Sequence, residues 1–192
     1  MTAPVSQSGP VIPPARLPGA PYRVCFVCTG NICRSPMAEV VLRELAGGQG
    51  AAVERSGGPL EISSAGTGPW HVGEPMDPRA RAALTRAGHT DHGHVARQIA
   101  DGDLAELDLI LALDRRHHTA LREMDAGGVL AGRLYLLGSF APGCRVADPA
   151  AAPEIADPFY GDDADFEACL RDVEAACHGL FQALGAAHGP GG

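Results

Sequence analysis

The chain has 192 residues, 45% hydrophobic and 20% charged, with a formal net charge of −8, which fits one folded domain and excludes a disordered chain. All 15 basic residues are dispersed arginines, so there is no cationic arm for a nucleic-acid backbone, and any anion must be held locally. No apolar stretch approaches the roughly 18 residues of a membrane span, and no basic head precedes an apolar run at the N-terminus, so a cytoplasmic protein that binds neither membrane nor nucleic acid is expected.

Residues 1–21 hold six of the 16 prolines and read as a flexible Pro-rich leader. The Gly-rich stretch 185–192 reads as a flexible tail, which leaves 22–184 as the domain. Residues 22–27 form a short apolar run that ends at Thr29-Gly30-Asn31, a buried strand entering a loop. A helix follows, with Ser35 as candidate N-cap and as candidate hydrogen-bond donor to the Cys28 thiolate, Pro36 at the first helical position and Met37, Val40, Val41 and Leu45 on one face. A second strand is expected over 60–64, then a loop through Trp70 and a helix opened by Asp77-Pro78 and closed by Gly88. A third strand over 107–113, a helix over 114–126, a strand over 133–137 and a helix over 166–184 complete the alternation. Strands alternating with helices imply a single α/β domain with a parallel sheet, helices on both faces, and ligands at the carboxyl ends of the strands.

The loop after the first strand is therefore the first place to look for chemistry. Cys28-Thr29-Gly30-Asn31-Ile32-Cys33-Arg34-Ser35 puts a thiol at the strand end, an arginine six residues on and a hydroxyl beside it. With six cysteines in the chain the spacing alone is weak evidence; the serine and the placement between strand and helix make it specific. Successive backbone N–H groups curling into a helix N-terminus cradle an anion, and a thiol there ionises readily beside an arginine. Arg34 can fork onto two phosphoryl oxygens as no lysine could. Asn31 tolerates the left-handed backbone such a loop needs. Cys169 and Cys177 fall on the apolar stripe of the last helix and read as core thiols.

At these residues the chain resembles the low-molecular-weight protein tyrosine phosphatase family of the bacterial type. The likeness runs from Val27 to Glu39 through Ser63-Ser64-Ala65-Gly66-Thr67, Trp70-His71-Val72-Gly73 and His94-Val95-Ala96-Arg97-Gln98 to Asp157-Pro158-Phe159-Tyr160-Gly161, and spans about 22–184. It implies a four-stranded parallel sheet with a phosphate-binding loop after the first strand, and phosphomonoester hydrolysis without metal or other cofactor. Where the family has two neighbouring tyrosines after Asp-Pro, this chain has Phe159 first.

On that resemblance Cys28 is the expected nucleophile, Arg34 the clamp on the transferring phosphoryl group and Asp157 the general acid and base. Thr29, Gly30, Asn31, Ile32, Cys33 and Ser35 would line the phosphate site. Trp70, Phe159 and Tyr160 would wall a slot deep enough for an aryl phosphate. Asp157 also reads as an ordinary turn residue, and Trp70 as a small hydrophobic anchor. The resemblance places Ser64 and His94, with Asn31, in a network that supports the loop. Cys33 is either a reversible disulfide partner of Cys28 or a buried thiol that packs. His89, His92, His94 and His117-His118 raise the question of a metal, but no set with usual zinc spacing completes them, so none is expected.

The implied substrates are phosphotyrosine proteins, with room for a cognate tyrosine kinase as partner. Three alternatives remain: an arsenate reductase, which would need further cysteines that 107–122 lacks; a phosphoarginine phosphatase, in which a threonine is similar in position to Ile32; and a non-catalytic phosphotyrosine-binding module, which would be expected to lack Cys28, Arg34 or Asp157.

Overall fold

In the computed structural model of the protein, residues 10–48, 54–55, 58–146 and 148–186 are described. The first strand, β1 (Tyr22–Cys28), runs through the middle of the sheet because both of its faces are apolar. Val24, Phe26 and Cys28 point into one hydrophobic layer while Cys25 and Val27 point into the other. β3 (Gly58–Gly66) and β4 (Leu109–Ala112) flank it in parallel, in register Phe26 to Ser64 and Phe26 to Leu111, and β5 (Leu134–Leu136) pairs in parallel with β4. This is the expected four-stranded parallel sheet. The two-residue β2 (Glu54–Arg55) adds an antiparallel pair at the β3 edge, giving the order β2-β3-β1-β4-β5.

Helices cover both faces. α1 (Arg34–Gly48), α2 (Pro78–Ala87) and α5 (Asp163–Ala186) close one layer, with Met37, Leu42, Leu84, Phe166 and Leu180 in its core. Phe166 is fully buried beneath the Arg79 guanidinium, 4.5 Å from its ring centroid; burying such a side chain contributes roughly 1.5–3 kcal/mol. The short α3 (Asp101–Glu106), which no strong periodicity announces, and α4 (Arg115–Met124) close the other layer through Leu104 and Leu121. α2 begins at the Asp77 cap, whose carboxylate accepts the Arg79 N–H, and stops at Gly88, whose φ of 91° is left-handed.

Two differences from the sequence reading concern the ends. α1 starts at Arg34 rather than after Ser35, so Ser35 is not its cap. Its hydroxyl turns inward instead, toward Cys28 and Asn31. In place of an independent leader, residues 10–20 lie against the domain: Ile12 is buried in the main core, and the Val11 and Pro13 carbonyls accept the Tyr135 and Tyr22 hydroxyls. Apolar and polar anchoring together offset the ordering of this segment despite its prolines. The remainder of the expected leader (1–9) and most of the tail (187–192) lie outside the described residues.

Candidate active site

Cys28 ends the central strand, where the sheet delivers its ligands, and the chain then curls through residues 29–33 into the first turn of α1. The curl needs one residue in left-handed backbone, and Asn31 supplies it with φ 57°, the only positive value at a non-glycine among the described residues. The loop also passes against the end of β3 so closely that a Cβ on Gly66 would sit 2.7 Å from the Thr29 carbonyl oxygen. Glycine is therefore required there.

Asn31 is fully buried and its amide is saturated. Nδ2 donates to Ser35 Oγ (2.9 Å) and to Ser64 Oγ (2.8 Å), while Oδ1 accepts the Arg97 N–H (2.9 Å). The Asn31 carbonyl accepts from His94 Nε2 at 2.7 Å, and Ser64 donates onward to Glu39. Ser35 Oγ accepts from Asn31, which leaves its one proton to share between Cys28 Sγ, 3.0 Å away, and the Ala65 carbonyl at the longer distance of 3.4 Å. One amide thus sets the loop conformation and directs a hydroxyl at the sulfur.

Arg34 is 2% exposed. Nη1 donates to Asp114 Oδ2 at 2.8 Å and to the Ile155 carbonyl at 3.2 Å, and Nη2 donates to Asp157 Oδ2 at 2.8 Å. Burial works against the guanidinium charge, but Cys28, Asp157 and Asp114 outweigh it and hold its pKa above the ordinary value. Asp114 caps α4 by accepting the Arg116 and His117 N–H groups. Its carboxyl is held below the usual range: burial opposes ionisation, and His117 and Arg34 overcome that. By contrast burial pushes the Cys33 thiol far up, with Asp77 adding to it, so the second cysteine of the loop stays protonated.

Above the sulfur opens a cleft of about 300 Å³. The loop residues Thr29, Gly30, Ile32 and Cys33 line it with Arg34, and Trp70, His71, Asp157, Phe159 and Tyr160 come in from two other loops. Phe159 packs edge-on against Tyr160 (centroids 5.1 Å apart) and tilted against His71 (6.3 Å). Trp70 and Tyr160 are largely exposed, 68% and 96%, leaving two aromatic faces unspent at the mouth. Asp157 is itself partly exposed, and its Oδ1 accepts the Phe159 N–H, which ties the carboxylate to the aromatic wall.

Every residue that the sequence assigned to the phosphate site, its aromatic walls or its supporting network lies in this cleft or directly behind it. Four that were not singled out for this site do too: Asp114 and His117 from the start of α4, and His71 and Arg116 lining the cleft. An Asp at a helix start is a legible cap, but its second oxygen's use on Arg34, 80 residues away, is not. Among the described residues no group of three or more His, Cys, Asp or Glu is placed to hold a metal. His89 illustrates why: Nδ1 bonds Glu44 and Nε2 bonds Glu174. No helix among the described residues is long and apolar enough to cross a membrane.

A cysteine sulfur, a buried arginine and an aspartate around one loop of backbone amides at the end of a parallel strand are the parts of a cysteine-dependent phosphatase. The model of the low molecular weight phosphotyrosine protein phosphatase family matches residues 23–188, and the chain belongs to that family. It is 47% identical over 169 residues to the low molecular weight protein-tyrosine-phosphatase of Streptomyces coelicolor, covering 85% of this chain and 93% of that one. Identity to the human low molecular weight phosphotyrosine protein phosphatase is 35% over 160 residues, covering 83% and 93%. The crystal structure of YfkJ from Bacillus subtilis superposes with a TM-score of 0.71 at 33% identity, covering 84% and 93%. The activity is that of a protein-tyrosine-phosphatase with a cysteine nucleophile and an aspartate acid/base.

Proposed function

We propose that Cys28 is the nucleophile, Arg34 the phosphoryl clamp and Asp157 the acid and base that hydrolyse phosphotyrosine in proteins. The observation that carries this reading is the single cleft in which Cys28 Sγ lies 3.0 Å from Ser35 Oγ while Asp157 stands 2.8 Å from the Arg34 fork. A phosphate dianion entering the cradle takes the fork on Nη2 from Asp157. Its charge beside the freed carboxylate favours the protonated acid that the leaving phenolate needs.

Cys28 then attacks phosphorus in line, the P–O bond to the aryl group breaks, and the Asp157 proton passes to the departing oxygen. The equatorial oxygens are held by the amides of residues 29–34 and by Arg34, whose fixed charges need no reorganisation. In the second step Asp157, now a carboxylate, takes a proton from the water that cleaves the cysteinyl phosphate, and Ser35 donates to the departing sulfur. Trp70, Phe159 and Tyr160 sandwich the aryl ring, and the Ile32 side chain offers no hydrogen bond to a guanidinium, which favours phosphotyrosine over phosphoarginine. A cognate tyrosine kinase, a cytoplasmic setting and reversible Cys28–Cys33 oxidation belong to the same proposal.

Turnover of matched phosphotyrosine, phosphoserine and phosphoarginine peptides in the presence of EDTA tests it. Phosphotyrosine hydrolysis that Cys28→Ser abolishes is expected; retained turnover in that variant removes the nucleophile assignment, and faster phosphoarginine cleavage removes the substrate class.

A further inference from the structure

Behind the loop lies a buried titratable side chain that the proposed reaction does not use. His117, in the first turn of α4, is 3% exposed. Its Nε2 is 2.8 Å from Thr29 Oγ1, the hydroxyl of the residue that follows the nucleophile. Its Nδ1 is buried and lies 3.0 Å from Asp114 Oδ1, off the line of a hydrogen bond and with no other partner among the described residues. A half-satisfied buried nitrogen calls for an explanation.

The surroundings choose the tautomer. A lone pair on Nδ1 would face the Asp114 carboxylate oxygen with mutual repulsion, so the proton sits on Nδ1 and Nε2 is the acceptor. Thr29 must then donate its hydroxyl proton to Nε2. Burial holds the ring pKa down to about 4 against the pull of Asp114, so the imidazole is neutral at neutral pH and Asp114 keeps its charge for Arg34.

From these contacts we infer that His117 is a positioning residue for phosphoryl transfer, bracing the nucleophile loop at Thr29 while its neighbour Asp114 braces the same loop at Arg34. Thr29 is exposed, and its carbonyl accepts from the Gly68 N–H at 3.0 Å, so its hydroxyl bond to His117 is what ties its side chain to the fold. The first turn of α4 thereby holds both ends of the cradle, the residue after the sulfur and the guanidinium. The five-coordinate phosphorus of the transition state needs loop amides and arginine in one register, whereas a tetrahedral phosphate tolerates a looser one. Loss of the brace therefore falls on kcat more than on KM.

The inference rests on the assignment of Cys28 and Arg34 as the reacting pair, but the two fail differently: that assignment fails if Cys28→Ser keeps turnover, and this one fails in an active enzyme. The test compares His117→Leu, His117→Gln, Thr29→Val and the His117→Leu/Thr29→Val double variant, using vanadate as the five-coordinate probe and inorganic phosphate as the tetrahedral one. His117→Leu and Thr29→Val are each expected to lower kcat and weaken vanadate inhibition by about ten-fold, the worth of one buried hydrogen bond, with phosphate inhibition and KM within about two-fold. The double variant should be no worse than either single one, and His117→Gln, whose amide still reaches Thr29, should recover part of the loss. Parallel losses for phosphate and vanadate, or a double variant whose losses multiply, overturn the inference. Should His117→Leu fail to fold, Thr29→Val and His117→Gln give the same readouts from the other end of the bond.

Discussion

Replacing Asn31 separates the two tasks of this residue, left-handed backbone and amide bonding, because alanine removes both and glycine removes only the second. The side chain makes three hydrogen bonds in a fully buried place, two from Nδ2 and one to Oδ1. At about 1 kcal/mol each, their loss costs about 3 kcal/mol and leaves the Arg97 N–H without its acceptor. The φ of 57° costs alanine roughly 1–2 kcal/mol more. Glycine escapes that cost but gives back part of it through its freer unfolded chain, so Asn31→Ala should be the less stable variant by about 1 kcal/mol. In a domain of this size that is a Tm gap of about 2–4 °C, with both variants well below the wild type. Scanning calorimetry alongside kcat/KM for an aryl phosphate checks it; both activities should fall by more than about a hundred-fold, since the loop amides and Ser35 lose their aim together. If Asn31→Ala were as stable as Asn31→Gly, or if both lay within about 1 kcal/mol of the wild type, the account of the loop would be refuted.

Asp157→Ala is expected to cost most with poor leaving groups, so a plot of rate against leaving-group pKa should steepen; equal losses for good and poor leaving groups count against the acid role. Asp114→Asn keeps a competent helix cap while removing a charge opposite the buried Arg34, so Tm should fall and kcat should fall by about ten-fold or more; an unchanged kcat contradicts it. Burial opposes protonation of His89, but its bonds to Glu44 and Glu174 outweigh that and raise its pKa above the usual value. The stability it contributes is therefore complete below the unfolded-state pKa of about 6.5 and is lost as pH rises through the higher folded value. Urea unfolding of His89→Gln should lack that decline on the alkaline side of neutrality, and a decline of the same size in both proteins would remove His89 as its source.

What was legible in the sequence had a local cause. The Asp77-Pro78 to Gly88 helix is bounded by its own cap chemistry, and β1 and β4 announce themselves by apolar runs that only a strand buried on both faces tolerates. Asn31 beside Gly30 forecast the turn that the structure shows. Of the two roles open to Ser35, cap and partner of Cys28, the structure shows the second: its preference for helix starts is a statistic about backbone partners, and here a sulfur and an amide outcompete them. Ile12 and Pro13 were hidden in a composition that reads as linker, since the tyrosines that anchor them, Tyr135 and Tyr22, are supplied by strands elsewhere. Asp114 and His117 were out of reach for the same reason: their partners Arg34 and Thr29 lie some 80 residues earlier in the chain.

The two carboxylates on Arg34 are not equivalent, and the difference decides how an acidic chain accepts a dianion. Asp114 is 16% exposed at the side chain, fixed by two backbone N–H groups as the cap of α4; Asp157 is 46% exposed on a loop. Both pair with the guanidinium at 2.8 Å, so two carboxylates share one cation and the base of the empty site is net negative. An incoming phosphate competes for the same fork, and the carboxylate that yields is the one with water to receive it and no helix to hold it. On the proposed assignment Asp157 is thereby released at the moment, and on the side, where a leaving oxygen needs a proton, while Asp114 keeps the arginine aimed. The negative charge that would seem to oppose the substrate is arranged so that half of it gives way and becomes the acid.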